Sequence, residues 1–236
     1  MTELLYNVDK TCSICEKEFQ ATKVRTRIIK LKQDNDFCTY YQDVNPYYYT
    51  VWVCPHCGYA AQESHFSQVS SANKDKISRF LAGKEVKINL SGSRTRSQAV
   101  TAYKLAIYFA EMEGLALSEV AGLYLRLGWL YREGEQVEEE RLALAKAADY
   151  FEKALFKERL PIGGMSEVAI TYLIGELLRR TNRYEQALLY FSKVVSSPQA
   201  KMERRILDMA RDAWHEARES KNQIAASDSA DADKDI

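Results

Sequence analysis

The sequence predicts an α+β chain divided by domains, with a small metal-stapled β module followed by an α-helical solenoid. Three observations carry this reading. Cys12–Cys15 and Cys54–Cys57 are each a C-x2-C pair, and 38 residues lie between the pairs. Residues 47–53 (Tyr-Tyr-Tyr-Thr-Val-Trp-Val) are all aromatic or β-branched, as strands prefer, and run straight into the second pair. From Thr95 to about Gln223 apolar residues recur three and four apart, with no strand pattern.

The chain has 236 residues, enough for one large or two modest domains. Hydrophobic content of 46% and charged content of 28% are globular values. A formal net charge of +0 removes any global field toward nucleic acid or an anionic membrane. No apolar run approaches the roughly 20 residues that cross a bilayer. The first ten residues are polar and lack the apolar core of a signal peptide. The expectation is a soluble cytoplasmic protein with no membrane association. Four of the five cysteines sit in pairs, which fits metal ligands in a reducing compartment better than disulfides.

Residues 1–66 form the metal module. Cys12, Cys15, Cys54 and Cys57 have the spacing of a tetrahedral structural zinc site. A module of this size has a thin core, and metal ligation supplies folding energy that burial does not. Pro55 and Gly58 suit a turn that aims backbone N–H groups at sulfur. Iron sites of the rubredoxin type share that turn, so iron is the alternative metal. Four thiolates leave no open coordination position, so the metal is expected to be structural and not catalytic. Residues 24–32 mix basic and β-branched residues as an exposed strand, and residues 33–36 form a turn cluster. With residues 47–53 as the second strand, the module is zinc-ribbon-like. Cys38 is read as a small buried hydrophobe beside Phe37, the alternatives being a redox thiol or a fifth ligand. His56 and His65 are each able to replace a cysteine ligand, but a solvated or hydrogen-bonded state is preferred for both.

Residues 67–96 carry seven Lys or Arg against Asp75 and Glu85 and read as a basic connector, with a short helix near Asn73 to Leu81 that places Ile77, Phe80 and Leu81 on one side. Residues 97–224 form the helical domain. There, Leu127, Gly128 and Tyr131 are followed by Ala147, Phe151 and Ala154. A second copy has Ile174, Gly175, Leu178, Ala187, Phe191, Val194 and Pro198. Ala102, Ala106 and Phe109 mark a degenerate leading copy. These positions resemble the tetratricopeptide repeat, in which a small residue lets paired helices approach closely. Residues 201–219 make a final amphipathic helix that caps the array. Residues 225–236 are small and acidic and are expected to be a disordered tail.

The order of motifs resembles the bacterial DUF2225 family. The residues that carry the resemblance are Cys12 and Cys15, Asp36-Phe37-Cys38, Asn45-Pro46-Tyr47-Tyr48, residues 53–60 around the second knuckle, and residues 125–132. It covers nearly the whole chain except the acidic tail. The first knuckle departs from the usual form, with Ser13 and Glu16 where proline and glycine commonly flank such cysteines. The resemblance implies an architecture and brings no activity.

No catalytic set is visible: there is no G-x-S-x-G, no phosphate-cradling glycine loop, no H-E-x-x-H and no G-x-G-x-x-G. The chain is therefore read as a non-enzyme, a protein–protein interaction adaptor or regulator with a structural zinc site. The alternatives are a nucleic-acid-binding ribbon, or a thiol enzyme using Cys38. The nucleic-acid alternative draws on the aromatic residues of the ribbon, but residues 1–66 hold seven Lys or Arg against eight Asp or Glu, which is not a basic module. In a solenoid the first helix of each pair lines the concave face. This puts Leu125, Trp129 and Arg132 of one copy, with Tyr172, Glu176, Arg179 and Arg180 of the other, in a groove expected to clamp a protein or peptide partner through its carboxylates. The competing expectation is that these arginines pair with neighbouring glutamates on a solvated helix face.

Overall fold

The computed structural model describes residues 4–86 and 89–232. Residues 1–3 of the expected metal module, residues 87–88 of the connector and residues 233–236 of the expected tail lie outside the described residues. A small N-terminal β region is followed by a region of seven helices, so the chain is α+β. It divides into two compact units, residues 1–140 and residues 141–236. The division falls at 140 because the β region and the first long helices share one core.

The first unit begins with three antiparallel two-stranded sheets. β1 (Leu5–Thr11) pairs with β2 (Glu18–Val24), from Leu5 opposite Val24 to Thr11 opposite Glu18. β3 (Lys30–Gln33) pairs with β4 (Thr39–Tyr41), with a register shift between Lys30 and Lys32. β5 (Val51–Val53) pairs with β6 (Ala60–Gln62). The expected strand over residues 47–53 is shortened to its second half. Pro46–Tyr49 instead form a turn of 3-10 helix, because the Asn45 side chain accepts from the Tyr47 N–H and Pro46 occupies the first turn. The expected strand over residues 24–32 is broken up: Val24 ends β2, residues 25–29 lie in no strand, and β3 begins at Lys30.

Helices complete this unit. α1 (Ser71–Leu81) is capped by Ser70 and buries Ile77. α2 (Arg96–Glu113) starts with a reciprocal capping box between Thr95 and Gln98. Its inner face, Ala99, Ala102, Tyr103, Ala106 and Phe109, packs under β5 and β6. α3 (Leu117–Glu133) packs on α2. The centre of the core is aromatic: the Tyr59 ring lies 5.2 Å from Phe66 and 5.2 Å from Phe109, and Trp52 lies 5.8 Å from Phe66.

α4 (Val137–Lys157) carries the chain into the second unit, which holds α5 (Glu167–Arg180), α6 (Tyr184–Ser196) and α7 (Arg204–Ala232). A three-residue link makes α5 and α6 an antiparallel pair. Gly175 lets them close, since a Cβ there would lie 2.8 Å from Cε1 of Phe191. α7 runs through Ala232, so most of the stretch expected to be a disordered tail is helical.

Candidate metal centre

Both cysteine pairs sit at hairpin tips. Cys12–Cys15 joins β1 to β2, and Cys54–Cys57 joins β5 to β6. The two knuckles have the same backbone wiring. The N–H of Glu16 donates to the Cys12 carbonyl at 3.0 Å, and that of Gly58 donates to the Cys54 carbonyl at 2.9 Å. The residue after each second cysteine takes a left-handed backbone, with φ of 58° at Glu16 and 79° at Gly58. Glu16 thus occupies a conformation that favours glycine. The Ile14 N–H points at the Cys12 sulfur at 3.4 Å.

The four sulfurs converge. All lie within 4.8 Å of one another, with Cys12 to Cys57 and Cys15 to Cys54 each at 3.6 Å. Sulfurs about 2.3 Å from a tetrahedral zinc are about 3.8 Å apart, so the donor set fits a metal ion of that size. Cys12 and Cys54 are buried, and Cys15 and Cys57 are half-buried. Among the sulfurs alone, protons are shared unequally. Hydrogen bonds from Cys12 and Cys57 pull the Cys54 thiol far below the ordinary thiol range. Hydrogen bonding to Cys54, joined by burial, pushes Cys12 up. Hydrogen bonds to Cys12 and Cys54 push Cys57 up as well. A bound cation removes this competition by stabilising all four thiolates together.

Direct ties hold the knuckles in place. The Ser13 hydroxyl donates to the Phe66 carbonyl at 2.7 Å, fastening the first knuckle to the aromatic core. His56 Nε2 lies 3.0 Å from the Glu18 carbonyl, tying the second knuckle to β2. His65 pairs with Glu113 at 3.0 Å, and the Tyr59 hydroxyl donates to the same carboxylate at 3.0 Å. Both histidines are therefore engaged away from the sulfurs. Cys38 is 4% exposed and lies outside the four-sulfur cluster.

A second polar centre, which the sequence does not reveal, lies in the same unit. Asp36 is fully buried. It accepts from the Trp129 indole at 3.0 Å and pairs with Arg132. Arg132 also reaches Asp34 at 3.0 Å and Glu140 at 2.7 Å. Burial alone would lower the Arg132 pKa, but the hydrogen bonds and charges of Asp36 and Glu140 outweigh it and raise it. Asp34 and Asp36 read as a turn cluster in sequence, and nothing local announces a partner 96 residues away.

Within each unit, the residues expected to line a groove are engaged as follows. Leu125, Trp129, Tyr172 and Glu176 are buried and present no open face. Arg132 is held by its three carboxylates. In the second unit Arg179 grips Glu176 with two bonds of 2.8 Å and Glu216 with a third contact of 3.2 Å, while Arg180 donates to Glu176 at 2.8 Å. The carboxylate that the arginines clamp is Glu176 itself, one helical turn away. Pairing of Arg179 and Arg180 with a neighbouring glutamate matches the competing expectation, although Glu176 itself is buried and Glu216 is 52% exposed.

Fold and site together define a class: a four-cysteine knuckle module joined to a helical region. The chain belongs to the family described as "Uncharacterized protein conserved in bacteria (DUF2225)", whose model matches residues 5–217. No curated protein and no solved structure matches the chain. No helix among the described residues is long and apolar enough to cross a membrane.

Proposed function

We propose that the protein is a non-catalytic interaction adaptor or regulator of the cytoplasm, built on a structural zinc site. The observation that carries the reading is the closed set of four sulfurs at two hairpin tips, with all sulfurs within 4.8 Å of one another. Zinc held by Cys12, Cys15, Cys54 and Cys57 has no open position for substrate or water. Its contribution is to join two hairpins that have little core of their own.

The helical region is proposed to be tetratricopeptide-like and to receive a protein partner. In support, α5 and α6 pack through Gly175 and Phe191, and Ala187 is fully buried between them. The open surface on offer is a cleft of about 370 Å³ between α6 and α7, lined by Ser192, Val195, Ser196, Arg211, Trp214 and His215. The experiment is affinity purification from the native cell with the wild-type chain and a Trp214→Asp variant. A partner captured by the first and lost by the second supports the reading. Identical capture by both, with the variant folded, overturns the placement of the partner in this cleft.

A further inference from the structure

The β1–β2 hairpin has two ends, and only one carries the knuckle. At the other end, where Leu5 pairs with Val24, the chain leaves through residues 25–32, which contain Arg25, Arg27, Lys30 and Lys32 and no acidic residue. All four cations are exposed. Arg27 and Lys30 make no ion pair among the described residues. Interleaved with them, Ile29 is 57% exposed and Leu31 62% exposed. The register shift between Lys30 and Lys32 interrupts the ladder around Leu31, and such a bulge disfavours the addition of a further strand at this edge. Beside these residues lies an open cleft of about 500 Å³ lined by Leu4, Tyr6, Arg25, Thr26 and Arg27. The Arg25 guanidinium sits 5.2 Å over the Tyr6 ring, which holds it at the cleft wall.

From this juxtaposition we infer that this end of the hairpin is a peripheral docking site for an anionic phospholipid surface. The cleft arginines take a phosphate headgroup, Lys30 and Lys32 meet neighbouring headgroups, and Ile29 and Leu31 enter the acyl boundary. Guanidinium forks bind phosphate oxygens bidentately. Clustered cations draw a protein to an anionic leaflet within a Debye length, so a local patch acts even in a chain with net charge +0. Apolar side chains add the contact that charge alone does not give. The inference is independent of the adaptor reading, since it uses neither the metal centre nor the α6–α7 cleft.

The test is co-sedimentation of the full chain with phosphatidylcholine vesicles with and without phosphatidylglycerol. The wild type is expected to bind only the anionic vesicles and to be released by high salt. Arg27→Gln with Lys30→Gln should weaken binding about twenty-five-fold, roughly fivefold for each charge. Ile29→Ser with Leu31→Ser keeps every charge and should still weaken binding by about tenfold or more. These side chains are exposed, and an unchanged circular dichroism spectrum confirms each variant's fold. Equal binding to both vesicle types overturns the inference, as does full binding by either double variant. Tighter capture of a single-stranded oligonucleotide or an acidic peptide through the same residues also overturns it, and assigns the surface to another partner.

Discussion

Glu16 and Gly58 hold the same place in the two knuckles, and their chemistry makes opposite demands on it. A left-handed conformation costs a non-glycine residue about 1–2 kcal/mol. Glu16→Gly is therefore expected to stabilise the first unit by about 1 kcal/mol, after allowing for the added freedom of the unfolded chain. Gly58→Ala should destabilise it by about 1–2 kcal/mol, because φ is +79° and the new Cβ would lie 3.3 Å from Val86. Urea titrations of the two variants against wild type measure both signs. At Arg132 the magnitude is larger. Removing it leaves Asp36, which is fully buried, without its cation. Breaking a buried pair from one side costs about 3–5 kcal/mol, so Arg132→Ala should lower the thermal midpoint of the first unit steeply. Arg183 pairs with Asp149 at the surface, where the two side chains are 32% and 43% exposed. Such pairs contribute about 0–1 kcal/mol, so Arg183→Ala should be nearly silent in the same scan.

The α5–α6 pair rests on one close approach. A methyl group at Gly175 would meet Phe191 at 2.8 Å and Tyr190 Cβ at 3.2 Å, so the two helices must separate to admit it. Gly175→Ala is expected to cost about 1–3 kcal/mol, the usual range for overpacking, and calorimetry of the second unit reads it directly. This contact was legible in sequence, because glycine and aromatic recur at helical spacing whatever the rest of the chain does. The two knuckles were legible for the same reason: cysteine spacing is a local signal. The strands were less so. β1 and β6 show no clean apolar–polar alternation in sequence, because β1 is nowhere fully buried and β6 has only three residues. Residues 47–49 favour a strand by type, and the Asn45 cap with Pro46 overrides that preference. The Asp36–Arg132 centre was illegible because its partners meet only through the fold. The burial of Leu125, Trp129 and Tyr172 was illegible too, because helical periodicity identifies a face but not what covers it.

At the scale of the whole molecule, the β region and α2–α3 share one core, so its chemistry should report unfolding of the first unit as a single event. Burial pushes Tyr47 up to about 12. Burial, with a hydrogen bond to Asp34, does the same to Tyr40. An unfolded tyrosine ionises near its ordinary value of 10.0. Both rings are thus neutral in the fold where the unfolded chain already releases protons. Their contribution is complete below about pH 10 and is lost as the pH rises toward about 12. The part of the tyrosinate absorbance that Tyr40→Phe and Tyr47→Phe remove should therefore change together with far-ultraviolet circular dichroism in that window; ionisation of that part well before unfolding would show the rings are not held as described. The central claim is that four thiolates join two hairpins through one metal ion. It is tested most directly by elemental analysis of the freshly purified chain beside Cys54→Ser and Cys38→Ala. The account predicts one zinc per chain in the wild type, none in Cys54→Ser, and full retention in Cys38→Ala. Stoichiometric iron would keep the four-sulfur site but contradict zinc, and a folded wild-type chain with no stoichiometric metal would contradict the site itself.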